Sequence, residues 1–269
     1  MKTKIFKLDA ATEIGEVCIS VYDAILTVCA SDDKELKVVL PDCKNVNVGV
    51  GENRLIINQA KRLIPFGKQA ITIYIPTHVV PDVKISGNRT AASFSGGIFG
   101  EMTLIGVCGE ISLVNSSFTA VELSSECLRT NLKETTVKKS LNMQVKVGQL
   151  VAENSFAYMA DCRLKCGNMG LINLSGNDFA FETETGNITL TLSGTENEYN
   201  VTVRVKSGTS NKQTAIFDGA QKAVKALCEN GNVLIDFIGE RVEITEAAVT
   251  TEDTQIDGVQ GDVAQEKTL

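Results

Sequence analysis

The stretch "TETGNITLTL", residues 183–192, sets a glycine and a polar residue ahead of aliphatic side chains that alternate with threonine. Period-two alternation places Ile188, Leu190 and Leu192 on one side of a strand and Asn187, Thr189 and Thr191 on the other. The glycine before the strand marks a bend where positive φ or a close neighbour excludes a Cβ. Related units occur at Gly167-Asn168-Met169, Gly148-Gln149-Leu150, Gly109-Glu110-Ile111, Gly100-Glu101-Met102, Gly231-Asn232-Val233 and Gly15-Glu16-Val17. The steps from position 148 to 167 and from 167 to 186 are equal, and the gap from 109 to 148 is close to two such steps with a degenerate copy between. A fixed period of this length belongs to stacked units, each too small to bury its own apolar face.

Short alternating segments also fill the rest of the chain ("EVCISV", "RLIINQ", "AITIYIP", "NVTVRV", "NVLIDF"), separated by Gly, Asn, Asp and Ser. The expectation is therefore an all-β chain, a single-stranded β-helix or solenoid-like stack of 19–20-residue coils, with a β-sandwich of two packed sheets as the alternative. Residues 1–245 form one domain on this reading. Its parts are N-terminal capping strands (1–80), regular coils (84–194) and C-terminal strands (195–245), followed by an acidic tail at 246–269 expected to be disordered. The copy at 167 is irregular: beyond Leu171 the alternation passes to Ile172 and Leu174, which implies a bulge or register shift. "GAQKAVKALCE" at 219–229 favours helix by propensity alone.

The eight cysteines contain no C-x-x-C pair, which argues against a zinc site. Reduced, mostly buried thiols are expected. Cys108 and Cys166 immediately precede their glycines, and Cys127 falls one period after Cys108, so these three are read as an inward-facing packing ladder shared with Val147 and Thr185. The formal charge of −7 and the absence of a basic run argue against nucleic acid. The first residues hold no apolar segment of signal-peptide length and no stretch has the length of a membrane helix, so a cytoplasmic location is expected, or the cell surface by another export route.

Candidate chemistry is sparse. His78, the only histidine, lies between prolines in a surface connection. Glu182 and Glu184 share one strand face as paired acids would, but a glycosidase needs its carboxylates in a cleft. Asp161, Arg163 and Asp178 imitate the charged groups of a polysaccharide-cleaving β-helix without recurring aspartates on one ladder. "NVGVGEN" at 47–53 lacks the third glycine of a dinucleotide site and reads as a strand turn. The Asn-x-Ser/Thr sequons at Asn88, Asn115, Asn173, Asn187 and Asn200 follow from outward polar alternation. No catalytic, cofactor-binding or metal-ligating residue is assigned, and no cofactor is called for.

Together "TIYIP" (72–76), "DVKISG" (82–87), the repeated Gly-polar-aliphatic strands and the final "NGNVLIDF" resemble the bacterial "putative adhesin" family, over about residues 14–240. Members of that family are largely of unknown function. The resemblance implies a solenoid-like stack in which "AVKALCENGNVLIDF" forms paired strands, and it supplies no catalytic residues. Many copies here carry Asn, Glu or Gln where the family often has aspartate after the glycine. The expected role is a non-enzymatic structural or interaction protein presenting polar strand ladders to a protein or glycan. The alternatives are a cytoplasmic regulatory or envelope-stress accessory protein and a carbohydrate-active β-helix enzyme.

Overall fold

The computed structural model describes residues 3–8, 12–43, 45–60, 67–106 and 108–239. The expected tail at 246–269 lies outside them. Among the described residues eighteen strands form one hydrogen-bonded sheet, and a short 3-10 turn stands at Glu196–Glu198. In chain order they are β1 (Thr3–Leu8), β2 (Glu16–Tyr22), β3 (Ala24–Ser31), β4 (Leu36–Pro41), β5 (Val46–Gly51), β6 (Arg54–Gln59), β7 (Gln69–Pro76), β8 (Asp82–Asn88) and β9 (Thr90–Ser95). Then come β10 (Ile98–Ile105), β11 (Gly109–Val114), β12 (Ser117–Lys133), β13 (Thr136–Ser175), β14 (Asp178–Thr185), β15 (Ile188–Leu192), β16 (Tyr199–Ser207), β17 (Lys222–Asn230) and β18 (Val233–Phe237).

The sheet pairs in two parallel runs. One passes from β6 through β2, β8, β10, the first half of β12 and parts of β13 to β14, β17 and β16. The other passes from β7 through β3, β9, β11, the second half of β12 and the rest of β13 to β15 and β18. Ile98 pairs with Ser117, Gly109 with Leu128 and Met169 with Ile188, the same offset each time. The offset grows by one after Phe118, where β13 bulges at the adjacent exposed Lys138 and Lys139.

Alternate residues of both runs meet in one apolar core. One core column follows the register through Val17, Val83, Met102, Val121 and Leu141. Its opposite runs through Leu26, Ala92, Ile111, Thr130 and Leu150. Phe94, Phe99 and Phe118 fill the interior at ring separations of 5.0–6.1 Å. As the alternation requires, Ile188, Leu190, Leu192, Val233, Ile235, Phe237, Val17, Ile19 and Val21 are all buried.

The two runs join at two kinds of corner. At the first, Gly109, Leu128 and Gly148 follow one another in register, and a Cβ on Gly167 would meet the Gly148 carbonyl oxygen at 1.7 Å. Gly186 and Gly231 continue the same column. Gly100 does not belong to it, because it sits inside β10, and Gly15 precedes a strand of the other run. At the second corner, Gly96, Asn115, Glu134, Asn154 and Asn173 all have left-handed φ between 48° and 70°. After three of these the next residue is a buried hydroxyl, Ser116, Thr135 or Ser155, donating to a carbonyl two residues back. This explains the irregular copy at 167: register shifts between Leu171 and Leu174 around Asn173, and Ile172 is 54% exposed rather than part of the core. Asn115 and Asn173 of the sequons are therefore corner residues, not products of strand alternation.

The cysteine ladder faces out, contrary to the expectation. Cys127 and Cys166 are exposed and Val147 is 52% exposed, because alternation carried back from the buried Leu128 or Met169 sets the residue before each bend outside. Only Cys162 and Cys228 of the eight are buried, so the thiols are not mostly buried either. The helix-prone segment at 219–229 is strand β17, as the resemblance implied, with Val224, Ala226 and Cys228 inward.

Antiparallel strands lie at the N-terminal end: β4 joins β7, β1 joins β4, and the β5–β6 hairpin flanks β2. At the other end, residues 209–215 lie against β16 and β18. Ala215 and Val201 exchange backbone hydrogen bonds of 2.8 and 2.9 Å, and the Asn211 amide accepts from Ile235 N (2.8 Å) and donates to Ile235 O (3.0 Å).

Candidate functional site

Because residues about one period apart pair in parallel register, any surface feature of one strand is drawn out into a row. On the outward side of the first run, Ile105, Ser124, Gln144, Arg163 and Glu182 form such a row, and Glu126, Lys146, Lys165 and Glu184 form the next. The rows line a trough of about 520 Å³, floored in part by Val145 and Leu164. Strands supply the positioning: Leu164 and Thr183 point inward between the charged residues, which fixes Arg163, Lys165, Glu182 and Glu184 outward.

The trough is charged but internally matched. Lys146 pairs with Glu126 at 2.7 Å and Lys165 with Glu184 at 3.7 Å. Arg163 grips Asp161 with two hydrogen bonds, Nε to Oδ1 at 3.0 Å and Nη2 to Oδ2 at 2.9 Å. That carboxylate raises the guanidinium pKa above its ordinary value. Elsewhere on this run Glu16 is held below the usual carboxylate range, first by hydrogen bonding from Lys84, with Arg54 adding its charge.

The structure thus brings together Glu182, Glu184 and Arg163, and places Asp161 beside Arg163. Asp178 lies at the start of β14, opposite Met159. His78 is in an exposed turn after β7. The Gly-x-Gly segment is β5 and the beginning of its hairpin turn. General acid catalysis by one of two carboxylates needs a desolvated environment that keeps a proton on it. The Glu184 side chain is 55% exposed and ion-paired with Lys165, so it lacks that desolvation. Among the described residues no group of three or more His, Cys, Asp or Glu could hold a metal ion, and no helix is long and apolar enough to cross a membrane.

Sequence reasoning missed Lys146, Lys165 and Glu126, although their signal was present. The series 126, 146, 165, 184 repeats the period already seen in the glycines, stretched by one position at its first step. On the outward side of the second run one row is uncharged: Ser93, Ser112, Asn131 and Val151 follow one another in register, as do Gly170 and Thr189. Beside them an amide ladder climbs the stack, with Asn168 Oδ1 accepting from Asn187 N at 2.8 Å and Asn187 Oδ1 accepting from Asn232 N at 2.9 Å.

No protein-family model matches the chain, and no curated protein matches it. Solved structures do resemble it. A putative adhesin from Bacteroides fragilis shares 14% identity over 88% of this chain and 97% of its own, with a TM-score of 0.46. A putative adhesin from Parabacteroides merdae shares 12% identity over 87% and 96%, with a TM-score of 0.39. A putative cell adhesion protein from Clostridium sporogenes shares 11% identity over 88% and 99%, with a TM-score of 0.36. These neighbours carry the same kind of description as the family that the sequence resembles.

Proposed function

We propose that this chain is a non-enzymatic, adhesin-like interaction protein whose 19–20-residue coils wind as a β-solenoid and hold the charged trough open to an extended protein segment or glycan. The observation that carries this reading is the construction of the trough, one residue per coil at a constant ladder position, so that a linear partner meets the same depth and spacing at each step of about 4.8 Å. Side chains fixed on hydrogen-bonded strands lose little backbone freedom on binding, which favours recognition of a flexible chain. Ion-paired, solvated carboxylates supply orientation and charge complementarity better than proton transfer. On the same reading the antiparallel N-terminal strands and residues 195–239 cap the stack.

The test is binding of wild type and of a Lys146→Glu, Lys165→Glu double variant to a panel of glycans and extended peptides. Binding by the wild type that falls at least about tenfold in the variant, at unchanged unfolding midpoint, is the expected result. A wild type that binds nothing in the panel, or a ligand indifferent to both substitutions, removes the trough from the proposal.

A further inference from the structure

Among the described residues four strands are outermost, and they are not treated alike. β16 and β18 are covered by residues 209–215, with Thr214 Oγ1 accepting from Val203 N and donating to Val203 O, both at 3.1 Å, and Asn211 bridging Ile235. β1 carries Lys4 and Lys7, the charged guards by which edge strands resist pairing. β5, "VNVGVG", has no charge, no proline and no bulge, and among the described residues it pairs only with β6.

Its hydrogen-bonding parity is fixed by the hairpin. Glu52 and Asn53 both have positive φ, 48° and 65°, which closes a two-residue turn with Gly51 and Arg54 as its hydrogen-bonded pair. The bond from Ala60 N to Asn45 O keeps the same phase at the other end. The backbone N–H and C=O of Val46, Val48 and Val50 therefore point away from β6.

We propose that β5 pairs antiparallel with β5 of a second copy of this chain about a two-fold axis through Val48. That register sets Val48 against Val48 and Val46 against Val50, using every outward backbone group of the strand. It opposes Asn47 to Gly49, so no like charges meet within the pair. A strand that meets no like charge in its own copy and matches its outward hydrogen-bonding groups one for one selects that copy as an isologous partner.

The experiment is sedimentation velocity of the full chain over a dilution series, with amide hydrogen exchange read at each concentration. Two variants spare the monomer. A Cβ at Gly49 meets nothing within 4 Å, so Gly49→Lys adds only an exposed charge, and Asn47→Lys adds one at the exposed position that the two-fold sets against Gly49. The expected result is a wild-type dimer whose Val46, Val48 and Val50 amides gain protection with concentration, weakened at least about tenfold by either substitution at an unchanged unfolding midpoint. A wild type that stays monomeric throughout, or a dimer that both variants leave intact, overturns the proposal.

Discussion

The Cβ that Gly186 lacks would stand 1.8 Å from the carbonyl oxygen of Gly167, on the neighbouring strand segment. Gly186 also has φ of 140°, which side-chain-bearing residues rarely adopt, so both its backbone and its neighbour exclude any other residue. Gly186→Ala should lower unfolding stability by at least about 3 kcal/mol in urea titration. Gly170→Ala is the control, since nothing lies within 4 Å of its Cβ, and it should change stability by less than about 1 kcal/mol. Equal effects from the two would show that the column is not a close approach.

Thr130 occupies a place in the core column that Ile111 and Leu150 fill on the flanking strands, and its buried Oγ1 has no hydrogen-bond partner. A buried hydroxyl without a partner retains its desolvation cost, while valine has the same shape without the oxygen. Thr130→Val is expected to stabilise the protein by about 1 kcal/mol in the same titration. A loss of stability would mean that the hydroxyl is bonded.

How much of this arrangement was readable beforehand follows from where the spacing signal is strong. The glycine column at 109, 148, 167 and 186 and the inward rows of Ile188, Leu190 and Leu192 came directly from period and alternation. The second corner was hidden because its left-handed residues are Asn115, Glu134, Asn154 and Asn173, and its hydroxyls read as ordinary turn polarity. The strands before residue 80 lack the period for a topological reason: β2 pairs with β8, far later in the chain, and the outermost strands are visited between them. The trough was half legible. Glu182, Glu184 and Arg163 stood out as charges in one segment, while Lys146 and Glu126 joined them only through stacking.

Thiol accessibility distinguishes the outward ladder from the buried cysteines. Brief iodoacetamide treatment of the native protein, followed by peptide mass spectrometry, should label Cys127 and Cys166 first. Cys162 should remain unlabelled until denaturant is added, since complete burial both shields it and pushes its thiol pKa far up, reducing the thiolate. Rapid labelling of Cys162 in the native protein would contradict its place in the core.

Glu198 lies in the turn leading to β16, where Lys222 donates to it at 2.7 Å and Thr195 N at 3.0 Å. The lysine bond first, then the Thr195 bonds, hold its carboxyl down at about 2, against an ordinary value of 4.5. A carboxylate depressed in the folded state stabilises the protein above the unfolded value, and that contribution is lost as pH falls from about 4.5 towards 2. The side chain is 43% exposed, so solvent screening limits the effect to about 1 kcal/mol or less. Comparing Glu198→Gln with wild type by denaturant unfolding, the stability gap should be widest above about pH 5 and close towards pH 2. A gap that does not change with pH would place the stabilisation elsewhere.

The last strands bear on solubility as well as stability. β14 and β15 receive β17 and β18 on their outer edges, and those strands are followed by β16 and by the Asn211 and Thr214 contacts that occupy remaining backbone groups. Ending the chain at residue 194 would leave β14 and β15 as bare parallel edges whose neighbours are apolar on the inner face, a template for adding further chains. Such a truncation should elute as aggregate in size-exclusion chromatography. Replacing Asn211 with alanine in the full chain removes its side-chain bonds to Ile235 and Asp236 and should lower the unfolding midpoint without wholesale aggregation. A soluble, cooperatively unfolding monomer from the truncated chain would show that the remaining strands fold without residues 195–239, and the capping role proposed for them would fall.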